Sequence, residues 1–431
     1  MFFSSPKYYC KAAEYSLLFQ PSGEILTCHY NRGNILGIYP TNNISEVWNG
    51  KKRKELVKSI RQAKFNKGCF ACKETLNMGL EHSAGINKYD YIIPSKKKIP
   101  VSMEFQLDNI CNLECVMCSG EYSSQIRKNR EKGEPYISPY DDEFVKQLDN
   151  YIPYLKHAAF TGGEPFLFDI YYKIWDRIKI LNPDLQIYVS TNGTVLNDRV
   201  KEYINKLNFN FAISIDSLNK ENYERIRKNA IMEKTLENIE FFNNYCKERK
   251  QDFNIKCLVT PLNYIDLSYL YKYFNDKNIN IIPKIVEMPT FASINNCTIE
   301  ELNNINENLK LCISNIKTSV NIQNNRRLNE IILKVMFLMN NTNELRYESN
   351  RELKYLIKEN IKKSLIQNHK EIEINYLLNR LDIVINSIEN DKDLNVALNN
   401  LMKLNIEAII NELRRNDLTK FVSRFRQTNP N

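Results

Sequence analysis

The chain has 431 residues, 43% of them hydrophobic and 26% charged, with only Gly 12 and Pro 14. At roughly 150 residues per domain that length suggests about three domains, and so little Gly and Pro excludes collagen-like and Pro/Gly-rich disordered chains. The 60 Lys and Arg against 51 Asp and Glu leave a net charge of +9, a mild bias toward anionic partners and too weak to point to nucleic acid.

No uninterrupted apolar run approaches the roughly 18 residues needed to span a bilayer, so no membrane role is expected. The N-terminus, MFFSSPKYYCKAAEYSLLF, lacks the basic and apolar regions of a secretory signal. Eleven cysteines without an export signal point to a cytoplasmic metal or redox protein rather than to a disulfide framework.

Residues 1–95 are loop-rich and carry Cys10, Cys28, Cys69 and Cys72. Trp48, Leu56 and Ile60 recur at near-helical spacing and predict a helix over Val47–Ala63. Pro94-Ser-Lys-Lys-Lys-Ile-Pro100 reads as a basic linker bounded by prolines. From 98 to 290 strand-like and helix-like stretches alternate. The strand candidates are residues 101–108, 157–161, 185–191, 209–216, 253–260 and 279–287. Between them, Ser138-Pro139 before Asp141-Asp142-Glu143 marks a helix start, and Asn197 and Asn219 are candidate caps. Such alternation implies parallel strands joined by right-handed crossovers. About six units fit an α/β fold, either a partial (β/α)6 barrel or an open doubly wound sheet. The partial barrel is favoured because one strand face is polar. Ser102, Glu104, Gln106 and Asp108 oppose Met103, Phe105 and Leu107; Asn210, Ser214 and Asp216 oppose Phe209, Phe211, Ile213 and Ile215. Polar residues on the inner face would be costly in a dry lumen and fit a wet, ligand-holding one. Residues 291–431 are rich in Asn, Ile, Leu and Lys and read as helices over LNEIILKVMFLM, ELKYLIKENIKKSLI and LNVALNNLMKLNIEAIINELRR. They carry no legible chemistry.

Cys111-Asn-Leu-Glu-Cys115-Val-Met-Cys118 follows the first of these strands directly, where barrel active sites are built. For structural zinc the loop is one ligand short. In a cubane 4Fe-4S cluster, three thiolates would leave one iron open. At the end of the second strand stands Phe160-Thr-Gly-Gly-Glu-Pro165, where Gly162 and Gly163 carry no side chain to block a ligand and Glu164 offers a carboxylate to an ammonium group. Cys-x3-Cys-x2-Cys followed by Gly-Gly-Glu, with Ser190-Thr-Asn-Gly193 and Ser214-Ile-Asp-Ser217 at later strand ends, resembles the radical S-adenosylmethionine (SAM) enzymes over about residues 100–290. The resemblance implies that Cys111, Cys115 and Cys118 ligate a catalytic 4Fe-4S cluster. It implies that Glu164 and the Gly162–Gly163 backbone hold the methionine amine of SAM. Ser190, Asn192 and Ser214 would contact its ribose or carboxylate, with Arg227 a further carboxylate candidate. The implied chemistry is reductive cleavage of SAM to a 5′-deoxyadenosyl radical that abstracts a hydrogen atom, driven by an external donor such as flavodoxin or ferredoxin.

Four thiols in a loop-rich segment suggest a metal staple, and the spacing alone suits zinc and an iron–sulfur cluster equally. The segment also resembles the twitch (SPASM-like) auxiliary-cluster domain of many radical SAM enzymes, through Gly23-x4-Cys28, Gly33-Asn34-Ile35, Val47-Trp-Asn49 and Cys69-x2-Cys72-Lys-Glu74. Such domains usually follow the barrel, whereas here the segment precedes it. The resemblance implies an auxiliary 4Fe-4S cluster on Cys10, Cys28, Cys69 and Cys72, fully ligated and suited to electron relay. His29 is an alternative ligand, though a solvent-facing histidine is the commoner case. Cys246 on a helical stripe with Leu236, Ile239 and Phe242, Cys312 with Leu309, Ile313 and Ile316, and Cys257 alternating with Ile255 and Val259 read as core. The family implies a peptide or protein substrate; a small molecule such as a sugar or nucleotide, oriented by Glu104, Gln106, Asp216 and Lys256, is the alternative. A non-enzymatic metal-cluster sensor or scaffold is the third reading.

Overall fold

The computed structural model describes residues 9–77, 85–93, 98–286, 289, 292–341, 349–366, 371–402, 406–414, 418, 421–422 and 425. The first four residues of the anticipated linker, 94–97, lie outside them. Among the described residues the strands are β1 (Ser16–Phe19), β2 (Glu24–Leu26), β3 (Gly37–Ile38), β4 (Ser102–Phe105), β5 (His157–Phe160), β6 (Gln186–Thr191), β7 (Asn208–Ser214), β8 (Phe253–Val259) and β9 (Asn280–Ile285). They form one sheet in the order β3-β2-β1-β4-β5-β6-β7-β8-β9. The strands from β4 to β9 are the six read from the sequence. Helices Asp169–Leu181, Asp198–Lys206, Met232–Arg249 and Leu267–Asp276 fall between successive strands from β5 to β9, as parallel pairing of β4 to β8 requires. Asn197 caps its helix by accepting from Val200 N, and Asn219 accepts from Asn222 N. Among the described residues no helix is long and apolar enough to cross a membrane.

The chain divides into two compact units. Met1–Glu114, Gly120–Ile215 and Arg227–Lys256 make the first; Cys115–Ser119, Asp216–Ile226 and Cys257–Asn431 make the second. The N-terminal segment joins the barrel strands because β1 pairs in parallel with β4, with Leu17 opposite Met103 and Phe19 opposite Phe105. Phe19, Phe105 and Phe160 stack across three adjacent strands with ring centroids 5.5 and 4.9 Å apart. Each such pair contributes about 0.5–1.5 kcal/mol beyond its buried area, so the three-strand N-terminal extension is a continuation of the sheet. In the first unit the outward faces of β6 and β7, Ile187, Val189, Phe209, Phe211 and Ile213, are buried, and Trp175 of the helix Asp169–Leu181 meets Phe160 and Phe209 edge-on.

Two helix expectations need correction. The predicted helix 47–63 is two helices, Ile44–Asn49 and Lys51–Arg61, because Gly50 adopts an extended ψ of 158°. The helix after Ser138-Pro139 starts later, at Asp142, with Asp141 as the cap that accepts from Phe144 N. Ser138 Oγ instead donates to Leu107 O at 2.6 Å.

In the second unit, the helix Ser319–Asn341 covers the edge strand β9. Asn324 Oδ1 accepts from Ile281 N at 2.8 Å and Arg327 donates to Ile281 O at 3.1 Å. Side chains thereby satisfy an edge that would otherwise template pairing. The helix Ile299–Leu311 precedes Ser319–Asn341, and four later helices, Asn350–Leu365, Glu371–Ile385, Asp391–Met402 and Ile406–Leu413, bury a second apolar core that includes Leu353, Ile357, Leu381, Leu398 and Ile410. Cys246, Cys257 and Cys312 are buried as read; Cys312, however, caps its helix at Leu311.

Candidate active site

The loop after β4 presents Cys111, Cys115 and Cys118, all half-exposed thiols. Main-chain and side-chain bonds shape it independently of any metal. Asn109 Nδ2 donates to Gly120 O at 2.7 Å, Ser123 Oγ to Leu113 O at 2.7 Å, and Cys111 N to Ser124 Oγ at 3.2 Å. Glu114 N donates to Lys228 O. The Glu114 carboxylate accepts from Asn129 and Asn229 at 3.0 Å and faces Lys228 at 3.4 Å. Glu114, between Cys111 and Cys115, is thus an anchor of their loop. Three thiols on one loop without a fourth cysteine fit the donor set of a cubane that keeps one iron for another ligand.

The Gly-Gly-Glu motif closes tightly on this loop. A Cβ on Gly163 would stand 2.1 Å from Ile110 O, and Gly162, at φ +118°, would place one 3.0 Å from Asp108 O. The missing side chains therefore make room for the cysteine loop itself, not only for a ligand. Glu164 N donates to Ile110 O at 2.8 Å. The Glu164 carboxylate is fully buried, accepting from Thr191 Oγ1 and Asn192 N at 2.8 Å and from Phe166 N at 3.3 Å. Its carboxylate thus ties the ends of β5 and β6 together, which the sequence did not reveal. Beside it, Asn192 Nδ2 donates to Asn112 Oδ1 at 3.0 Å and approaches Cys111 Sγ at 3.9 Å, while Asn112 donates to Thr194 Oγ1 at 2.8 Å. This clasp joins the cysteine loop to the end of β6.

Burial pushes the Glu164 carboxyl up to about 7, against the pull of its three donors. Relative to an unfolded value near 4.5, the folded chain then binds the extra proton between these pH values, so this group's contribution makes stability fall as pH rises through that window. Chemical unfolding at pH 5 and pH 8 should show wild type losing stability relative to Glu164→Gln as pH is raised. Parallel profiles for the two would contradict the assignment. Glu164→Ala should cost about 1–3 kcal/mol for each donor left dry.

Of the inner-face residues read from the sequence, Asp108 and Ser214 are half-exposed, whereas Ser102, Glu104, Gln106, Asn210 and Asp216 are buried. Gln186, Tyr188 and Ser190 of β6, Ala212 and Ser214 of β7, and Asn254 and Lys256 of β8 are half-exposed. Ser214 lies in register with Lys256, whose Nζ donates to Ser190 Oγ at 2.9 Å. Arg227 is buried. Three of the four substrate-orienting candidates are buried and engaged within the protein. Glu104 meets His29 Nε2 and Tyr89 Oη at 2.6 Å and Lys88 Nζ at 3.1 Å. Burial alone would raise its pKa, but His29, Lys88 and the tyrosine hydroxyl hold it well below the usual carboxylate range. Gln106 bonds Gln20 and Thr161. Asp216 is buried and accepts from Leu258 N at 2.8 Å. Only Lys256 stays half-exposed on the lumen side.

Cys10, Cys28, Cys69 and Cys72 lie together in one buried cluster with Leu56, Ile60, Phe65 and Tyr89. Burial pushes all four thiols up, Cys10 to about 11, and thiol neighbours within the set add to the rise for Cys10, Cys28 and Cys69. Asn31 Nδ2 donates to Cys69 Sγ at 3.1 Å. His29 is half-buried, and its Nε2 lies 2.6 Å from the Glu104 carboxylate. Among the described residues no three His, Cys, Asp or Glu side chains are grouped to hold a single metal ion. Four thiols in one buried cluster match in number the donor set of a fully ligated iron–sulfur cluster.

A family model described as the radical SAM superfamily matches residues 106–255. The chain is 26% identical over 182 residues to a cysteine-type anaerobic sulfatase-maturating enzyme of Clostridium perfringens, 40% of this chain and 47% of that protein. It is 30% identical over 209 residues to an uncharacterized protein of Methanocaldococcus jannaschii, 46% of this chain and 68% of the relative. It is 32% identical over 139 residues to a GTP 3′,8-cyclase of Aliarcobacter butzleri, 30% of this chain and 39% of that enzyme. The chain thus spans about half the length of the sulfatase-maturating relative it matches. The matched segment starts at the end of β4, runs through the cysteine loop and the Gly-Gly-Glu turn, and ends in β8; the chain belongs to the radical SAM superfamily.

Proposed function

We propose that this protein abstracts a hydrogen atom from a peptide or protein, using a 4Fe-4S cluster on Cys111, Cys115 and Cys118 and SAM bound at the open iron. The observation that carries the reading is the loop of three half-exposed thiols braced against the Gly-Gly-Glu turn. When bound, cluster and SAM supply a 5′-deoxyadenosyl radical by reductive cleavage. The chain's own residues do the rest. Gly162, Gly163 and Glu164 set the backbone that would receive the methionine amine. Ser190, Asn192 and Ser214 line the wall that would face ribose or carboxylate, and Lys256 offers the lumen a cation. Cys10, Cys28, Cys69 and Cys72 would hold an auxiliary 4Fe-4S cluster in a twitch-like arrangement, relaying electrons to or from a carrier such as flavodoxin or ferredoxin in a reducing cytoplasm.

A peptide or protein substrate is supported by the relatives named for sulfatase maturation. Matches to GTP 3′,8-cyclases favour a nucleotide as the second reading. The test is anaerobic turnover of the reconstituted, reduced protein with candidate peptides in one arm and GTP in the other. A peptide mass change coupled to 5′-deoxyadenosine supports the first reading. Coupled conversion of GTP alone would replace it with the second.

A further inference from the structure

The net charge of the chain is concentrated in one place. Residues 51–67 hold eight Lys and Arg against one Glu, so a net +7 of the chain's +9 falls on this stretch. The inner side of the helix Lys51–Arg61 buries Leu56 and Ile60, and Phe65 follows in the next loop; all three pack in the cluster that contains Cys10, Cys28, Cys69 and Cys72. The outer side exposes Lys51, Lys52, Lys54, Lys58, Lys64 and Lys67. Some of the cations have local duties. Arg53 stacks on Trp48 at 3.3 Å and donates to Glu14 O, Arg61 pairs with Glu14, and Lys51 and Lys67 reach Glu55. Among the described residues Lys54, Lys58 and Lys64 make no ion pair. A charged helix face is ordinarily just solvated. This one is the outer surface of a single layer of structure whose inner surface packs with four thiols, and the remainder of the chain is nearly neutral.

We propose that this lysine face docks an acidic electron-carrier protein over the N-terminal sulfur site. The inference rests on the reading that Cys10, Cys28, Cys69 and Cys72 hold an iron–sulfur cluster. One electron passes per encounter, from the reduced flavin or iron–sulfur group of the carrier to the oxidised cluster; no bond is made or broken and no proton is transferred. Electron transfer falls steeply with distance, so a carrier must sit close above its acceptor, and opposite charge steers it there. Screening by salt weakens the encounter because the lysines are exposed.

The test uses the full-length, reconstituted protein and an acidic bacterial flavodoxin. Lys54→Glu/Lys58→Glu/Lys64→Glu should weaken binding of oxidised flavodoxin, measured by calorimetric titration, and slow oxidation of reduced flavodoxin by about tenfold to a hundredfold at low salt. The wild-type rate should fall with added salt and approach that of the variant. Iron content and dithionite-driven 5′-deoxyadenosine formation should be unchanged, since none of the three lysines touches a sulfur ligand. The milder Lys54→Ala/Lys58→Ala/Lys64→Ala should fall between. Unchanged flavodoxin binding and oxidation in a fully loaded triple variant would overturn the proposal. So would a raised KM for the peptide substrate in the dithionite assay with flavodoxin kinetics intact, which would assign the face to an acidic substrate. If wild type holds zinc instead of a second cluster, the underlying reading fails, and iron and zinc analysis shows this before any variant is made.

Discussion

Cys115→Ala is expected to abolish 5′-deoxyadenosine formation and to remove about half of the iron, from about eight per chain to about four if both sites hold cubanes. The effect should be confined to the metal, because the loop has its own scaffold. Asn109 closes it onto Gly120, Ser123 holds Leu113, and Glu114 is anchored by Asn129, Asn229 and Lys228. None of these bonds uses a sulfur. Far-UV circular dichroism should therefore match wild type while the catalytic cluster is lost. Retained 5′-deoxyadenosine formation, or wild-type iron content in the variant, would show that Cys115 is not a ligand. Loss of fold together with iron would instead show that the loop depends on its metal for shape.

Cys28→Ser should have the second-largest effect and the opposite signature. About four irons should go, yet reductive cleavage of SAM should continue, uncoupled from turnover of the substrate. Cys28 sits inside the buried set, its thiol raised first by burial and then by Cys10 and Cys72. Its neighbour His29, which burial pushes down to about 4 and so keeps neutral near pH 7, hydrogen-bonds Glu104 on the first barrel strand through Nε2, so loss of the metal should also loosen the N-terminal extension. A cost of a few kcal/mol corresponds to a drop on the order of 5–10 °C in unfolding midpoint for a unit of this size. Metal analysis of wild type decides what the site holds. Four irons and one zinc would make the N-terminal site structural and remove the electron-relay role.

The barrel was legible because its signals are local. Period-two alternation marked β4 and β7, Asn197 announced its helix by a side chain that can cap, and the cysteine spacing located the loop. What was not legible depends on pairings between distant residues. Nothing in Ser16-Leu-Leu-Phe19 says that it will lie in parallel beside Ser102–Phe105. Glu104 and Gln106 face the polar side of β4 as the alternation predicted, yet their partners, His29 and Gln20, come from the N-terminal segment and take them away from a substrate. Gly163 was read as space for a ligand, whereas the close approach of Ile110 O requires glycine there on packing grounds alone. The break at Gly50 was hidden because apolar spacing continues across it.

The most direct measurement is electron–nuclear double resonance on the reduced cluster of Cys28→Ser protein, with SAM labelled with nitrogen-15 at the methionine amine. Coordination at an iron left open by Cys111, Cys115 and Cys118 predicts a strong hyperfine coupling from that nitrogen, lost in the additional Cys115→Ala variant. A fully loaded cluster that shows no coupling with SAM bound, or a loop that holds a single divalent ion in place of a cluster, would contradict it.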